Sequence, residues 1–283
     1  MKYLITGARG MLGHDIISVL AGRDVTPFDR AELDITDLDA VRTVVPGHDV
    51  IINVAAYTKV DDAETDEDLA GLINATGAAN LARVAAENGA ILLQVSTDYV
   101  FDGTATTPYQ ESTPRNPVSA YGRTKAEGER LVQELNGDRS YIVRTAWLYG
   151  QHGPNFPKTM LKLAAQRDEL SVVDDQVGQP TWTMDLARQI VALLDADAPF
   201  GIYHGTSSGQ TSWFGFAQAV FANAGLDPKR VKPTDSAAFV RPAPRPAYSV
   251  LGHAGWAAAG LQPLRDWDEA LAEAQGKGVV EPE

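Results

Sequence analysis

The chain contains no cysteine, no long apolar run and no excess of positive charge. Without cysteine there is no disulfide, thiolate metal site or cysteine nucleophile. No apolar stretch approaches the roughly 20 residues that span a bilayer, and the N-terminus runs straight into Lys2-Tyr-Leu-Ile5 without a secretion signal. The formal net charge of −13 disfavours binding to nucleic acid or an anionic membrane. We therefore expect a cytoplasmic protein with neither a nucleic-acid nor a membrane partner.

Histidine is also sparse, and its distribution disfavours a metal site. The five histidines stand at positions 14, 48, 152, 204 and 253, and none pairs with an acid at a metal-binding spacing. The acidic run Asp61-Asp-Ala-Glu-Thr-Asp-Glu-Asp68 is more simply a helix start, where negative charge suits the helix dipole. We therefore predict no metal in the site.

The order of apolar segments predicts an α/β fold. Strand and helix patterns alternate up to Gly150, which is typical of a Rossmann-type, doubly wound parallel sheet. The predicted strands are Tyr3–Thr6, Asp24–Phe28, Val50–Asn53, Ile91–Val95 and Tyr141–Arg144. Beyond Gly150 the alternation fades. We therefore predict a dinucleotide-binding domain (residues 1–150 plus about 183–205) and a smaller C-terminal α/β substrate-binding domain (about 151–182 plus 206–283).

The turn after the first predicted strand carries three glycines at three-residue intervals, Gly7, Gly10 and Gly13. Such glycines let the backbone approach a pyrophosphate, which the N-terminus of the following helix attracts. The turn therefore predicts dinucleotide binding by the residues Gly7, Arg9, Gly10, Met11, Leu12 and Gly13.

Two residues after the second predicted strand have opposite implications for the cofactor. Asp29 lies 22 positions beyond Gly7, near the distance expected of a carboxylate that bonds the adenosine ribose, which favours NAD. Arg30 beside it could hold the additional phosphate of NADP. The choice between NADH and NADPH stays open.

Tyr121 and Lys125 carry the predicted chemistry. On a helix they stand one turn apart on the same face. We predict that this helix begins around Asn116-Pro117, with the proline in its first turn, and ends at Asn136-Gly137. A nearby ammonium favours a phenolate, so we expect the pKa of Tyr121 to fall below about 10.

Residues that follow the other predicted strands complete the candidate site. Ser96 and Thr97 end the fourth strand, where open α/β sheets place their ligands, and could donate to a substrate carbonyl. The small residues in Ala55-Ala-Tyr57 leave room for a flat ring. Arg241 and Arg245 are candidates for a diphosphate, because a guanidinium binds phosphate with two hydrogen bonds.

These residues sit in motifs that resemble the extended short-chain dehydrogenases/reductases, and among them the dTDP-4-dehydrorhamnose reductase family. The resemblance covers nearly the whole chain. The matching stretches are Thr6-Gly-Ala-Arg-Gly-Met-Leu-Gly13, Asn53-Val-Ala-Ala-Tyr-Thr-Lys-Val-Asp-Asp-Ala-Glu64, Ser96-Thr-Asp-Tyr-Val-Phe-Asp-Gly103, Tyr121-Gly-Arg-Thr-Lys-Ala-Glu127, Arg144-Thr-Ala-Trp-Leu-Tyr-Gly150, Asp175-Gln-Val-Gly-Gln-Pro-Thr181 and Arg245-Pro-Ala-Tyr-Ser-Val-Leu251.

The resemblance implies a catalytic trio of Thr97, Tyr121 and Lys125. It also implies that Asp98 and Trp147 touch a sugar nucleotide. The implied cofactor-lining residues are Asp34, Ile35, Ala55, Ala56 and Tyr57. The implied reaction is NADPH- or NADH-dependent reduction of the C4 keto group of a dTDP-linked 4-keto-6-deoxyhexose, with the tyrosine as general acid. Members of the family are monomers or homodimers, so either state is expected here.

Three alternatives stay open. The chain could reduce another dTDP-deoxysugar, such as a dihydrostreptose precursor, or it could be a non-catalytic NADP-binding regulatory subunit. The third alternative is a hydrolase, because Gly205-Thr-Ser207-Ser-Gly209 matches the G-x-S-x-G pattern and His253 could act as a base.

Overall fold

Fourteen strands and ten α-helices occur within residues 1–281, the part of the chain that the computed structural model describes. The strands are β1 (Lys2–Thr6), β2 (Asp24–Phe28), β3 (Val50–Asn53), β4 (Ile91–Thr97), β5 (Ser140–Thr145), β6 (Leu148–Tyr149), β7 (Leu170–Val173), β8 (Val177–Gly178), β9 (Thr181–Trp182), β10 (Gly201–His204), β11 (Ser207–Ser208), β12 (Thr211–Ser212), β13 (Val231–Thr234) and β14 (Leu264–Asp266).

The α-helices alternate with the longer strands. They are α1 (Met11–Val19), α2 (Leu38–Val44), α3 (Glu67–Gly71), α4 (Ala78–Asn88), α5 (Ala120–Asn136), α6 (Phe156–Ala164), α7 (Thr183–Asp195), α8 (Trp213–Asn223), α9 (Ala254–Ala258) and α10 (Trp267–Gly276). A π-helical segment, Leu72–Gly77, joins α3 to α4.

Six strands form the central sheet in the order β10-β5-β4-β3-β1-β2, with every neighbouring pair parallel. Strand β1 pairs with β2 on one side and with β3 on the other, so the winding direction reverses there. Such a reversal opens a crevice at the carboxyl ends of the strands. The doubly wound parallel sheet predicted from the sequence is confirmed.

Helices cover both faces of this sheet, so strands β3, β4 and β5 are almost entirely buried. Helices α1 and α7 pack on one face, and α2, α4 and α5 on the other. The chain returns to the sheet after its irregular part, because β10 pairs with β5 through Gly201 opposite Tyr141. Our sequence prediction had not identified β10.

A separate apolar cluster lies in the C-terminal part. Its buried members include Tyr149, Trp182, Phe216, Phe221 and Leu271, and none of its buried residues belongs to the central sheet. Trp256 and Leu264, which the prediction assigns to the second domain, pack in the cluster of the central sheet. The two-domain division stays a proposal. No helix within residues 1–281 is long and apolar enough to cross a membrane.

The start of α5 differs from the prediction. Pro117 lies outside the helix, and Ser119 is the N-cap, whose hydroxyl accepts a hydrogen bond from the backbone N–H of Gly122 at 3.0 Å. The predicted end at Asn136 is confirmed. The proline was a weaker start signal because a serine hydroxyl satisfies one of the free N–H groups of the first turn.

Candidate active site

A cleft of about 1330 Å³ opens at the carboxyl ends of the sheet strands. Most predicted site residues line it: Gly7, Gly10, Met11, Leu12, Gly13, Asp29, Arg30, Asp34, Ile35, Ala55, Ala56, Tyr57, Ser96, Thr97, Asp98, Tyr121, Lys125 and Trp147. Arg9, Arg241 and Arg245 are not among its lining residues.

The glycine turn at one end of the cleft leaves no space for side chains. A Cβ atom on Gly7, whose φ is +68°, would lie 2.7 Å from the backbone nitrogen of Ala55. A Cβ atom on Gly13 would lie 2.4 Å from the carbonyl oxygen of Gly7. No side chain caps the N-terminus of α1 at Gly10. Bare backbone and a helix N-terminus suit a pyrophosphate, so this turn fits the expected dinucleotide.

Arg9 lies outside the cleft and is engaged by acids. Its side chain is 66% exposed, and it forms ion pairs with Asp29, at 3.9 Å, and Glu32. The Asp29 carboxylate also accepts a hydrogen bond from the backbone N–H of Arg30 at 2.9 Å. The structure therefore places Asp29 and Arg30 in the cleft but gives the predicted cofactor role of Arg9 no support.

Strand β4 and helix α5 bring the predicted trio together. Thr97 ends β4, and Tyr121 and Lys125 stand one helical turn apart near the start of α5. The Thr97 side chain lies close enough to the Tyr121 phenol to influence its pKa. The Lys125 ammonium, only 4% exposed, donates to the backbone carbonyl oxygen of Val95 at 2.7 Å.

The proton affinities of these groups differ from the expectation. Burial raises the pKa of Tyr121 to about 12, the nearby Thr97 side chain opposes this rise, and the charge of Asp98 adds to it. Burial lowers the pKa of Lys125 to about 8. The expected fall in the pKa of Tyr121 is therefore wrong for the protein alone, because burial outweighs the helical neighbour and the ammonium is bound to Val95. A phenol with this pKa keeps its proton near neutral pH.

A stacked pair of tryptophans forms the far wall of the cleft. The rings of Trp147 and Trp213 lie 3.6 Å apart between centroids, with planes 11° from parallel. Trp147 has φ +48°, an uncommon conformation for a residue with a side chain. A Cβ atom on Gly178 would lie 2.6 Å from the Trp147 ring. Trp213 and Gly178 therefore define where the Trp147 ring lies.

Asp98, which follows Thr97, lines the same cleft. It is buried, and one carboxylate oxygen accepts a hydrogen bond from the Thr97 hydroxyl at 2.9 Å. Burial raises the pKa of Asp98 to about 6, so the carboxylate is mostly ionised at neutral pH. An ionised acid at this position can accept hydrogen bonds from the hydroxyls of a sugar.

The two late arginines are not among the residues that line the cleft. Arg245 donates to the Asp61 carboxylate at 2.8 Å and to the carbonyl oxygen of Ala243 at 3.2 Å. Arg241 is exposed. The carboxylate of Asp61 binds the Arg245 guanidinium and Arg241 faces solvent, and their phosphate contacts stay a prediction.

Comparison with known proteins agrees with this geometry. The model of the family described as RmlD substrate binding domain matches residues 1–278. The chain belongs to this family. A dTDP-4-dehydrorhamnose reductase from Streptomyces griseus is 51% identical over 280 residues, which cover 96% of this chain and 92% of the relative. A dTDP-4-keto-6-deoxy-D-glucose reductase from Streptomyces niveus is 48% identical, with 96% of each chain covered.

A solved member of the same family shares the whole fold. The dTDP-4-dehydrorhamnose reductase from Bacillus anthracis, solved in complex with NADP, superimposes with a TM-score of 0.94 and 41% identity. The match covers 98% of this chain and 100% of that one. The chain described here is thus a Rossmann-type member of a reductase family.

Two asparagines that the sequence prediction missed hold loops that line the cleft. Asn74, in the π-helical segment, binds the backbone N–H and C=O of Tyr57 at 2.8 and 3.1 Å, and donates to the Thr124 hydroxyl of α5 at 3.1 Å. Asn80 donates to the carbonyl oxygens of Ile35 and Thr36. The π-helical turn gave no sequence signal.

The hydrolase alternative is wrong. Ser207 is fully buried in β11, which pairs with β14, and no helix follows it directly. The His253 ring contacts the Thr206 hydroxyl at 2.9 Å. A nucleophile elbow needs an exposed serine on a sharp strand-to-helix turn.

Within residues 1–281, no three histidine or acidic side chains gather to hold a metal ion, and the expectation of a metal-free site stays a prediction.

Proposed function

We propose that this chain uses NADPH or NADH to reduce the C4 keto group of dTDP-4-dehydro-L-rhamnose to dTDP-L-rhamnose. The observation that carries the proposal is that the Thr97–Tyr121 pair and Lys125 line the same cleft as the glycine turn. The name of the Streptomyces griseus relative supplies the substrate class, and the NADP complex of the Bacillus anthracis relative supports the cofactor.

The protein's part in the reaction is to position the substrate and transfer a proton. A bound nicotinamide supplies the hydride. The Thr97 hydroxyl lies where β4 ends and would hold the substrate carbonyl oxygen, whereas the Ser96 side chain faces Glu129. Tyr121 then protonates the C4 alkoxide. The raised pKa of Tyr121 suits this step, because the phenol still carries its proton when the alkoxide forms and an alkoxide is the stronger base.

Lys125 and the tryptophan wall complete the arrangement. The Lys125 ammonium lies beside β4, within reach of a nicotinamide ribose in the cleft. The Trp147 ring and the Asp98 carboxylate offer the sugar an apolar face and a hydrogen-bond acceptor. The expected cytoplasmic location and the monomeric or homodimeric state stay predictions.

A closely related second candidate changes only the sugar. The Streptomyces niveus relative is named a dTDP-4-keto-6-deoxy-D-glucose reductase and is almost as similar as the relative from Streptomyces griseus. Another dTDP-deoxysugar, including a dihydrostreptose precursor, therefore stays an alternative. A non-catalytic regulatory subunit is disfavoured, because a binding module needs no hydroxyl pair beside a buried lysine.

The test is an oxidation assay of NADPH and of NADH with dTDP-4-dehydro-L-rhamnose and its epimers, followed by NMR of the product. We expect turnover with the L-rhamnose precursor and a product with the rhamno configuration at C4. Faster turnover with another 4-keto sugar would transfer the assignment to that sugar. Tight NADPH binding without oxidation by any of these sugars would favour the regulatory subunit.

A further inference from the structure

Glu129 is a buried acid one helical turn beyond Lys125, so the two lie on the same face of α5. Its carboxylate accepts two hydrogen bonds from the Arg144 guanidinium, at 2.9 and 2.7 Å. A third comes from Arg115 at 3.1 Å. The Ser96 side chain also interacts with it and, like both arginines, favours its ionised form. None of the steps proposed above uses this acid.

Lys125 needs such a neighbour. Its ammonium has one neutral backbone acceptor, the carbonyl oxygen of Val95, and burial lowers its pKa. The charge of Glu129 opposes that fall. Burying an ammonium is costly unless an acid compensates, so Glu129 supports the charge that the cofactor ribose would meet.

The remaining groups around this pair do not replace Glu129. Arg144, from β5, is a cation whose charge is matched by Glu129. Arg115, before α5, is partly exposed. His204, from β10, contacts Arg144 at 3.4 Å, and burial lowers its pKa to about 3, so it is neutral. The charge of Asp98 acts on Tyr121, another titratable group of this part of the cleft.

We propose that Glu129 is a positioning residue of the reduction, whose carboxylate keeps the Lys125 ammonium charged beside Ser96 and so sets the highest pH at which the dinucleotide binds tightly. The proposal rests on the proposed function, because it takes Lys125 as a contact of the cofactor. It assigns a role to the buried ion pair of Glu129 and Arg144. A buried ion pair is by itself weak evidence that the pair stabilises the fold.

The test is the dissociation constant of NADPH, measured by fluorescence from pH 6 to pH 10. Wild-type affinity should weaken through a midpoint near pH 8, where Lys125 loses its proton. Glu129→Gln should move the midpoint down by about one pH unit or more. Glu129→Asp, which keeps the charge, should stay closer to wild type. A purely structural Glu129 would lower the melting temperature and leave the midpoint in place, and that result would overturn the proposal.

A second variant covers the case in which Glu129→Gln does not fold. Arg115→Gln removes a partly exposed cation that competes with Lys125 for the charge of Glu129. The pH at the midpoint of the loss of NADPH affinity should therefore rise. A midpoint that is unchanged or lower would overturn the proposal. If wild-type protein does not bind NADPH at all, the proposed function fails. If it binds and oxidises NADPH but no variant moves the midpoint, only the role of Glu129 fails.

Discussion

The ammonium of Lys125 donates to the carbonyl oxygen of Val95 at 2.7 Å, which ties helix α5 to the strand that carries Ser96 and Thr97. The bond fixes the lysine beside the sheet rather than against the Tyr121 phenol. It also holds a charge in a buried position, where charge is unfavourable. A buried lysine kept for function should therefore reduce stability.

The first prediction concerns that effect. The pKa of Lys125 is about 8 in the folded protein, against 10.5 for a free side chain. Between these values the unfolded chain binds the proton and the folded chain does not, so stability rises with pH. Below about pH 8, the loss in the free energy of unfolding that the buried Lys125 causes reaches its upper limit of about 3 kcal/mol.

Urea unfolding of wild type and Lys125→Met at pH 7 and at pH 10 measures this effect. The free energy of unfolding of wild type relative to the variant should increase as the pH rises. Lys162→Met, on the exposed side of α6, is the matched control and should show no such trend. If the free energy of unfolding of wild type relative to Lys125→Met decreases as the pH rises, the folded protein stabilises the charged form of Lys125, which contradicts this prediction.

The second prediction concerns the proton donor. Tyr121→Phe removes the phenol while keeping the ring, so turnover should fall roughly 10²–10⁴-fold. Cofactor affinity should change little, because the proposed ribose contact belongs to Lys125. Steady-state oxidation of NADPH gives both quantities. Tyr203→Phe removes a hydroxyl that donates to the carbonyl oxygen of Pro199, away from the cleft, and should retain turnover. Equal losses in both variants would remove Tyr121 from its role.

The third prediction concerns the tryptophan wall. Gly178→Ala places a Cβ atom 2.6 Å from the Trp147 ring, so the ring must move. The KM for the sugar nucleotide should rise severalfold while NADPH affinity stays the same. Gly137→Ala is the control, because a Cβ atom there meets nothing within 4 Å and φ is −56°. An unchanged KM in Gly178→Ala would show that the ring's position does not matter for the sugar.

The fourth prediction concerns the glycine turn. A Cβ atom on Gly13 would lie 2.4 Å from the carbonyl oxygen of Gly7, so Gly13→Ala should push α1 away from the turn. We expect NADPH affinity to fall at least tenfold, as measured by fluorescence titration. Gly276→Ala, where a Cβ atom meets nothing within 4 Å, should bind as wild type does. Wild-type affinity in Gly13→Ala would place the pyrophosphate elsewhere.

Local sequence patterns were enough for five of the six strands of the sheet and for most of the cleft. Strands β1 to β5 are short apolar runs between turn signals, and their carboxyl ends must meet at one edge of a parallel sheet. Gly7, Thr97 and Tyr121 could therefore be placed in one site before any contact was known.

Tertiary contacts between distant residues were not predictable in the same way. Asp61 binds Arg245 across 184 positions, and Trp213 stacks on Trp147 from a different helix. Spacing along the chain carries no information about such partners. The pKa of Tyr121 was mistaken for a related reason, because burial depends on everything packed around the ring.

A crystal structure with NADPH bound would decide whether hydride and proton converge on one point. We predict the reactive carbon of the nicotinamide beside the Tyr121 hydroxyl, the ribose within hydrogen-bond distance of Lys125, and the pyrophosphate on the turn from Gly7 to Gly13. A dinucleotide bound outside the cleft, or a nicotinamide ring on the far side of Tyr121 from Thr97, would contradict the proposed reduction.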